Sequence, residues 1–299
     1  MYDLIIKPRS NKRKIIALII CLVILIIVSI ISGIYINEDI CTTNNGKQAQ
    51  MMQVKIEQEE EEKRQKQEQE IKNRTAKTSA PLNENQINSI LHVYNSTGEK
   101  RVFLTFDDGP SRLITPLILD ILKAENVKAT FFLLGENAQR NAELVKREFN
   151  EGHYIGNHGY THKYSEVYSS PEATLAEYNT TEQIIKNILG NQQFRTNVFR
   201  FPGGSNGGFY DDKKQASKAL LRQNGIAHLD WNALTEDAAG KYTKEQLFEN
   251  AKNTIGNKDS VVILMHDASD KVLTYEMLPS LIHYLKEQQY SFKNIYDIL

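Results

Sequence analysis

The chain has 299 residues, of which 40% are hydrophobic and 24% charged, with 36 Lys and Arg against 37 Asp and Glu. A net charge of −1 lacks the basic excess of nucleic-acid-binding proteins, so we expect no nucleic-acid partner. Two cysteines exclude a disulfide-rich scaffold and any zinc module built on cysteines. The composition is not uniform, and it divides the chain into residues 1–36, 37–97 and 98–299.

Residues 1–36 combine a basic N-terminus with an uncharged apolar run over residues 15–36. As a helix this run would be about 33 Å long, which is enough to cross the apolar core of a bilayer. The basic residues before it predict a cytoplasmic N-terminus and a remainder outside the membrane. We therefore expect a single transmembrane anchor and an extracytoplasmic domain. A cleaved signal peptide is the alternative, although no clear small-residue cleavage motif follows.

Residues 37–97 form a polar linker in this interpretation. Residues 50–80 carry seven Glu against seven Lys and Arg, and no apolar side chain lies between Ile56 and Ile71 to support a coiled coil. We expect a solvated helix or a disordered stalk. Cys41 follows the apolar run that contains Cys21, so the two should not meet within one chain. Cys41 is either a free thiol or a cross-link between two chains.

Residues 98–299 have the pattern of an α/β domain. Strand-like runs begin near residues 101, 129, 153, 197, 226 and 260, and a weaker one lies near the C-terminus. Helical patterns at 115–126, 170–190 and 274–289 alternate with them. This alternation predicts a mainly parallel sheet, and six or seven such units favour a barrel over an open sheet.

Unusual polar residues follow five of these runs, at the strand ends where a βα barrel carries its chemistry. They are Asp107 and Asp108, His158 and His162, Gly203 after a run that contains Arg200, Asp237, and His266. The two aspartates precede Gly-Pro, so both carboxylates can face one site, or they can simply cap a turn. The H-x3-H spacing lets two imidazoles share a metal, and an added carboxylate suits either a zinc hydrolase or a ferrous oxygenase.

Together these motifs resemble the polysaccharide deacetylases of the NodB-homology group, carbohydrate esterase family 4. The resemblance covers about 200 residues from Lys100 onwards and rests on TFDDGP (105–110), H-x3-H (158–162), RFPGG (200–204), Asp237 and LMH (264–266), in the family's order. It implies a distorted barrel of seven or eight β/α units. The anchor and stalk are similar to those of cell-envelope peptidoglycan deacetylases.

The resemblance also implies roles. Asp108, His158 and His162 would bind a metal, usually Zn²⁺, with Co²⁺, Ni²⁺ or Mn²⁺ as alternatives. Asp107 would be the catalytic base. The remaining roles are as follows: Arg200 pairs with the base and should lower its pKa, Gly203 holds the oxyanion through its backbone N–H, Leu264 lines the acetyl pocket, His266 is the general acid, and Asp237 keeps it charged.

Two positions depart from the family pattern. Gly203 stands where an aromatic residue is usual, and Ala238 follows Asp237 where the family often has Trp. Both aromatic residues would line the sugar groove. Trp231, Phe209 and Tyr210 either replace that stacking surface or belong to the core and loops.

We therefore expect a membrane-anchored, metal-dependent hydrolase that removes N-acetyl groups from a cell-wall aminosugar polymer, with peptidoglycan N-acetylglucosamine first. The alternative substrates are N-acetylmuramic acid, chitin-like oligomers and O-acetylated xylan. The rival functions are a non-catalytic glycan binder, an iron oxygenase, and an envelope interaction element in residues 37–97. The sequence identifies no protein partner.

Overall fold

The computed structural model describes residues 12–36 and 44–299. The described residues up to 68 form one compact unit, and residues 69–299 form a second. The first unit contains helix α1 (Lys12–Ile36) and most of α2 (Asn44–Lys77). Within the described residues, no helix combines the length and apolar character that a membrane crossing requires, so the transmembrane helix predicted over 15–36 is not supported. The predictions for the basic N-terminus up to residue 11 and for Cys41 lie outside the described residues.

The second unit is built on one parallel sheet of eight strands. These are β1 (Arg101–Asp107), β2 (Thr130–Leu133), β3 (Tyr154–Asn157), β4 (Val198–Phe199), β5 (Ala227–His228), β6 (Ala233–Leu234), β7 (Ser260–His266) and β8 (Ser291–Lys293). Their order is β5-β4-β3-β2-β1-β7-β6, and β8 pairs with the first half of β1 while β2 pairs with the second half. The predicted strands are present, and the sheet curls into a half-barrel.

One continuous segment joins the two edges of this curled sheet. Residues 227 and 228 pair with β4, and residues 233 and 234 pair with β7 on the opposite edge. Between them, the guanidinium of Arg200 donates to the carbonyls of Leu229 and Asp230. The distorted barrel predicted from the sequence is therefore a half-barrel whose edges are bridged by a single segment, with no ladder between β5 and β6 among the described strands.

Helices connect the strands and cover the sheet: α3 (Glu84–Leu91), α4 (Thr115–Ala124), α5 (Gly135–Arg140), α6 (Ala142–Asn150), α7 (Tyr164–Val167), α8 (Pro171–Leu189), α9 (Asp211–Gln223), α10 (Lys244–Ile255) and α11 (Val272–Glu287), with a final 3-10 turn (Ile295–Asp297). The start of α8 is legible in the sequence, because Ser170 caps the N–H of Ala173 and Pro171 occupies the first helical position.

The second unit begins well before the predicted domain boundary at residue 98. Ile71, near the end of α2, packs against the main core, and Lys77 donates a hydrogen bond to the carbonyl of Tyr296. In α3, Ile87 and Ile90 are fully buried and belong to a core cluster with Phe103 of β1. Residues 69–97 therefore supply core side chains to the unit that carries the site.

Candidate active site and metal centre

The carboxyl ends of the strands meet at one edge, where they surround a cleft of about 330 Å³. Asp107 is the last residue of β1 and is aligned with His266, the last residue of β7. The cleft brings together eight predicted residues: Asp107, Asp108, His158, His162, Gly203, Asp237, Leu264 and His266. The ninth, Arg200, lies behind Asp107 and contacts its carboxylate.

Asp108, His158 and His162 form a group that can hold a metal ion. The Oδ1 atom of Asp108 lies 3.5 Å from the Nε2 atom of each histidine. Ligand atoms bound to Zn²⁺ at 2.0–2.1 Å in a tetrahedron would be about 3.3 Å apart, close to this spacing. Asp108 has a φ of 73°, a left-handed backbone conformation that an extended strand does not adopt, and β1 ends at Asp107 just before it.

Two further observations show that these residues fit a cation. The Oδ1 atom of Asp108 is buried and has no hydrogen-bond partner in the described part of the chain. The Nδ1 atom of His158 lies 2.7 Å from the carbonyl of Arg200, so an N–H placed there leaves the Nε2 lone pair available. Burial lowers the pKa of His158 to about 3, which keeps the imidazole neutral, as a metal ligand must be.

Asp107 and Arg200 form a buried ion pair at the floor of the cleft. The Nη1 atom of Arg200 lies 2.9 Å from Oδ1 of Asp107, and the same nitrogen donates to Oγ1 of Thr105 at 2.6 Å. Burial raises the pKa of Asp107, and the charge of Arg200 opposes this shift without reversing it. Arg200 acts on this pKa in the predicted direction, but the expected net lowering of the pKa of Asp107 was wrong, because the carboxyl is fully desolvated.

His266 and Asp237 form the second hydrogen-bonded pair. The Nδ1 atom of His266 lies 2.8 Å from Oδ1 of Asp237, and the backbone N–H of His266 donates to Oδ2 of the same carboxylate. Thr274 also donates to Oδ2, at 2.7 Å. Burial opposes the charge on His266, but the hydrogen bond and negative charge of Asp237 raise the pKa of His266 to about 9. The imidazole is thus charged at neutral pH, as the sequence predicted.

The opposite wall of the cleft contains a residue that the sequence analysis missed. Tyr164 lies beside Gly203, and a β-carbon at position 203 would come within 2.4 Å of the Tyr164 hydroxyl oxygen. Gly203 has a φ of 72°, so glycine also suits the backbone there. The available signal was the position of Tyr164, two residues after His162 at a strand end. Trp231 lines the cleft, whereas Phe209 does not.

Comparisons with known proteins agree with this geometry. Residues 94–225 match the family model described as polysaccharide deacetylase. A peptidoglycan-N-acetylglucosamine deacetylase of Bacillus cereus is 34% identical over 209 residues, which cover 68% of this chain and 72% of that protein. A carbohydrate esterase family 4 esterase of Streptococcus mutans has 31% sequence identity and a TM-score of 0.64, over 73% of this chain and 96% of that structure.

The peptidoglycan-N-acetylglucosamine deacetylase PgdA of Listeria monocytogenes is 32% identical over 76% of this chain. This chain spans only 46% of the length of that relative. This chain covers more than two thirds of the Bacillus cereus protein. The chain therefore belongs to the polysaccharide deacetylases of carbohydrate esterase family 4, a family of hydrolytic deacetylases.

Proposed function

We propose that this protein is a metal-dependent hydrolase that removes N-acetyl groups from a cell-wall aminosugar polymer, with peptidoglycan N-acetylglucosamine as the first candidate. The observation that carries this proposal is that one cleft contains a metal-ligand group, a buried carboxylate and a charged histidine. The names of the Bacillus and Listeria relatives support the choice of polymer.

In this proposal Asp108, His158 and His162 hold a divalent cation, with Zn²⁺ as the first candidate because of the donor set. When bound, such a cation supplies Lewis-acid chemistry that acidifies water and polarises the acetyl carbonyl. Asp107 accepts a proton from the attacking water. Its raised pKa places it nearer the working pH, which favours a general base, and Arg200 holds its carboxylate in place.

His266 serves the other half of the reaction. Hydrolysis breaks the amide C–N bond, and the leaving amine needs a proton, which the charged imidazole donates through Nε2 because Nδ1 is held by Asp237. Leu264 is almost buried and offers an apolar wall to the acetyl methyl group. The backbone N–H of Gly203 is the proposed donor to the developing oxyanion. Acetate and a free amine are the products.

The first experiment measures acetate release by the full chain from N-acetylglucosamine oligomers and from purified peptidoglycan. The protein is treated with a chelator and then given Zn²⁺, Co²⁺, Ni²⁺ or Mn²⁺ in turn. Release that stops with the chelator and returns with a metal supports the proposal, and the relative rates rank the substrates and metals. A folded, metal-loaded protein that releases acetate from neither substrate would contradict it. Acetylated xylan and N-acetylmuramic acid substrates then test the other polymers.

We also propose an extracytoplasmic, membrane-associated location. Its support is the uncharged run over residues 15–36 and the basic residues before it. Protease added to intact cells should digest residues 69–299 and spare an N-terminal tag. Protection of both ends would place the protein in the cytoplasm and would contradict this proposal.

A further inference from the structure

The exposed apolar side chains of the second unit share one position in the fold. The large hydrophobic residues exposed in the described residues from 69 onwards are Leu113, Leu117, Tyr164, Phe209, Val272 and Leu273. Each follows the carboxyl end of β1, β3, β4 or β7, which is the edge that carries the cleft. Of the six, Tyr164 lines the cleft itself, and exposed apolar surface at such an edge marks a place where a ligand or partner binds.

Phe209 is the extreme member of this set, with a relative exposure of 94%. It gains nothing from burial within the chain, and yet its loop is well braced. The backbone N–H of Gly207 donates to Asp211, at 2.6 Å, and Lys218 donates to the side chain of Asn206, at 2.7 Å. The loop backbone is therefore held in place while the ring of Phe209 lies in solvent. A ligand that stacks on the ring would lose less free energy to ordering of the loop.

The ring of Phe209 connects to the cleft through other aromatic rings. Its centroid lies 5.0 Å from that of Tyr210, which lies 5.7 Å from the buried Tyr168. Tyr168 in turn lies 5.8 Å from Tyr164, and Tyr164 lies 5.6 Å from His162 of the metal-ligand group. The exposed rings of Tyr164 and Phe209 thus belong to one series of aromatic contacts, through Tyr168 and Tyr210, that begins at the cleft.

Tyr164 also occupies the space that a side chain at position 203 would need. Because Gly203 has no side chain, Tyr164 can pack beside it and form this part of the cleft wall. Tyr164 is half-exposed and lines the cleft. The aromatic surface missing from residue 203 is supplied by a residue that follows a different strand. Phe209 lies outside the lining of the cleft and is linked to Tyr164 through the rings of Tyr210 and Tyr168.

We propose that Tyr164 and Phe209 form an aromatic arm that binds the sugars of a polymeric N-acetylhexosamine chain on one side of the reacting residue. This inference rests on the proposed function, because it takes the substrate from it. The apolar faces of pyranose rings stack on aromatic rings, and a polymer long enough to span both rings gains from both contacts. Phe209 then discriminates long chains from short ones, whereas Tyr164 contacts both.

The test compares the full chain with Phe209→Ala and Phe209→Trp. Binding of the N-acetylglucosamine disaccharide and pentasaccharide is measured by calorimetry in chelator, which prevents turnover. Removing about 50 Å² of buried apolar contact predicts roughly tenfold weaker pentasaccharide binding by Phe209→Ala. Disaccharide binding should change less than twofold, and Phe209→Trp should restore pentasaccharide binding. Because Phe209 is exposed, the substitution should leave the fold intact.

Equal pentasaccharide affinity in wild type and Phe209→Ala would overturn the aromatic arm, as would an equal loss for both oligomers or no pentasaccharide binding at all. Acetate release from both oligomers is measured as well, because it distinguishes a failure of the aromatic arm from a failure of the proposed function. If the wild type releases acetate and Phe209→Ala binds the pentasaccharide as tightly as the wild type, the aromatic arm alone is contradicted. Length-dependent binding without any release supports the arm as a glycan site and contradicts the catalytic proposal.

Discussion

Arg200 links the chemistry of the cleft to the closure of the barrel. It is fully buried, and its guanidinium donates to Thr105 and Asp107 of β1 and to the carbonyls of Leu229 and Asp230 in the bridging segment. A buried charge is tolerated only when its donors are satisfied in this way. The same contacts fix the carboxylate of Asp107, so the base is positioned by the residue that holds the two sheet edges together.

The substitution Asp107→Asn should lower the rate of acetate release by about 10²–10⁴-fold, because the amide cannot accept the proton from water. Metal content should remain near that of the wild type, since the ligand group of Asp108, His158 and His162 is unchanged in this variant. Metal analysis of the purified variant, alongside its rate, checks both parts. Near-normal activity would show that another group is the base.

His158→Ala is the matched comparison, because it removes a proposed ligand from the same cleft. It should lose both metal and activity, whereas Asp107→Asn loses activity alone. A His158→Ala protein that keeps its full metal content would remove His158 from the ligand group.

The pH dependence of the enzyme should report the pair formed by His266 and Asp237. The pKa of His266 is raised to about 9 from 6.5. The stability contributed by its charged form is therefore present below pH 6.5 and is lost as pH rises through about 9. Activity should also fall on the alkaline side near this value, because the acid must be charged.

Asp237→Asn should move that alkaline limb to lower pH. The amide keeps the shape of the side chain but removes the negative charge that raises the pKa of His266, while burial continues to lower it. The profile of kcat/KM between pH 6 and 10 measures the shift. An alkaline limb at the same pH in the variant would show that His266 is not the group that titrates.

At the scale of elements, α3 binds the N-terminal part of the second unit to the sheet. Asn83 and Gln86 form a capping box that begins the helix, and the buried face of the helix carries Ile87 and Ile90. The chain before it is held by a hydrogen bond from the N–H of Leu82 to the carbonyl of Gly225. This short helix is therefore a structural part of the catalytic unit.

Ile90→Ala should lower the free energy of unfolding by about 2–5 kcal/mol, because it leaves a cavity at a fully buried position. Ser89→Ala is the control, since Ser89 is exposed in the same helix, and a change within about 0.5 kcal/mol is expected. Urea unfolding of both variants gives the difference. Equal stability of the two variants would mean that α3 is not packed as described.

At the scale of the whole molecule, the start of the catalytic unit is testable by truncation. A chain that begins at residue 69 should keep the stability and activity of residues 69–299, because that unit is compact. A chain that begins at residue 98 loses the buried side chains of Leu82, Ile87, Ile90 and Val93, which should cost at least about 6 kcal/mol. Thermal unfolding of the two proteins compares them. Equal thermal unfolding midpoints for the two proteins would indicate that the catalytic unit begins at residue 98.

The sequence by itself determined the α/β class, the positions of seven of the eight strands and eight of the residues that line the cleft. Apolar runs that end in polar residues are local signals, and parallel strands bring their ends to one edge of a sheet. The structure places Asp107, His158 and His266 together for this reason. The sequence also predicted the raised pKa of His266, because its partner Asp237 was recognisable from the motif order.

Only the tertiary structure decided the features that depend on packing between distant segments. Desolvation raises the pKa of Asp107, and no local pattern reports how completely a side chain is buried. The polar sequence of residues 50–80 does not show that its last part and α3 join the core, because a few apolar side chains at helical spacing suffice. Tyr164 fills the space beside Gly203 from another strand end, a contact that spacing along the chain cannot reveal.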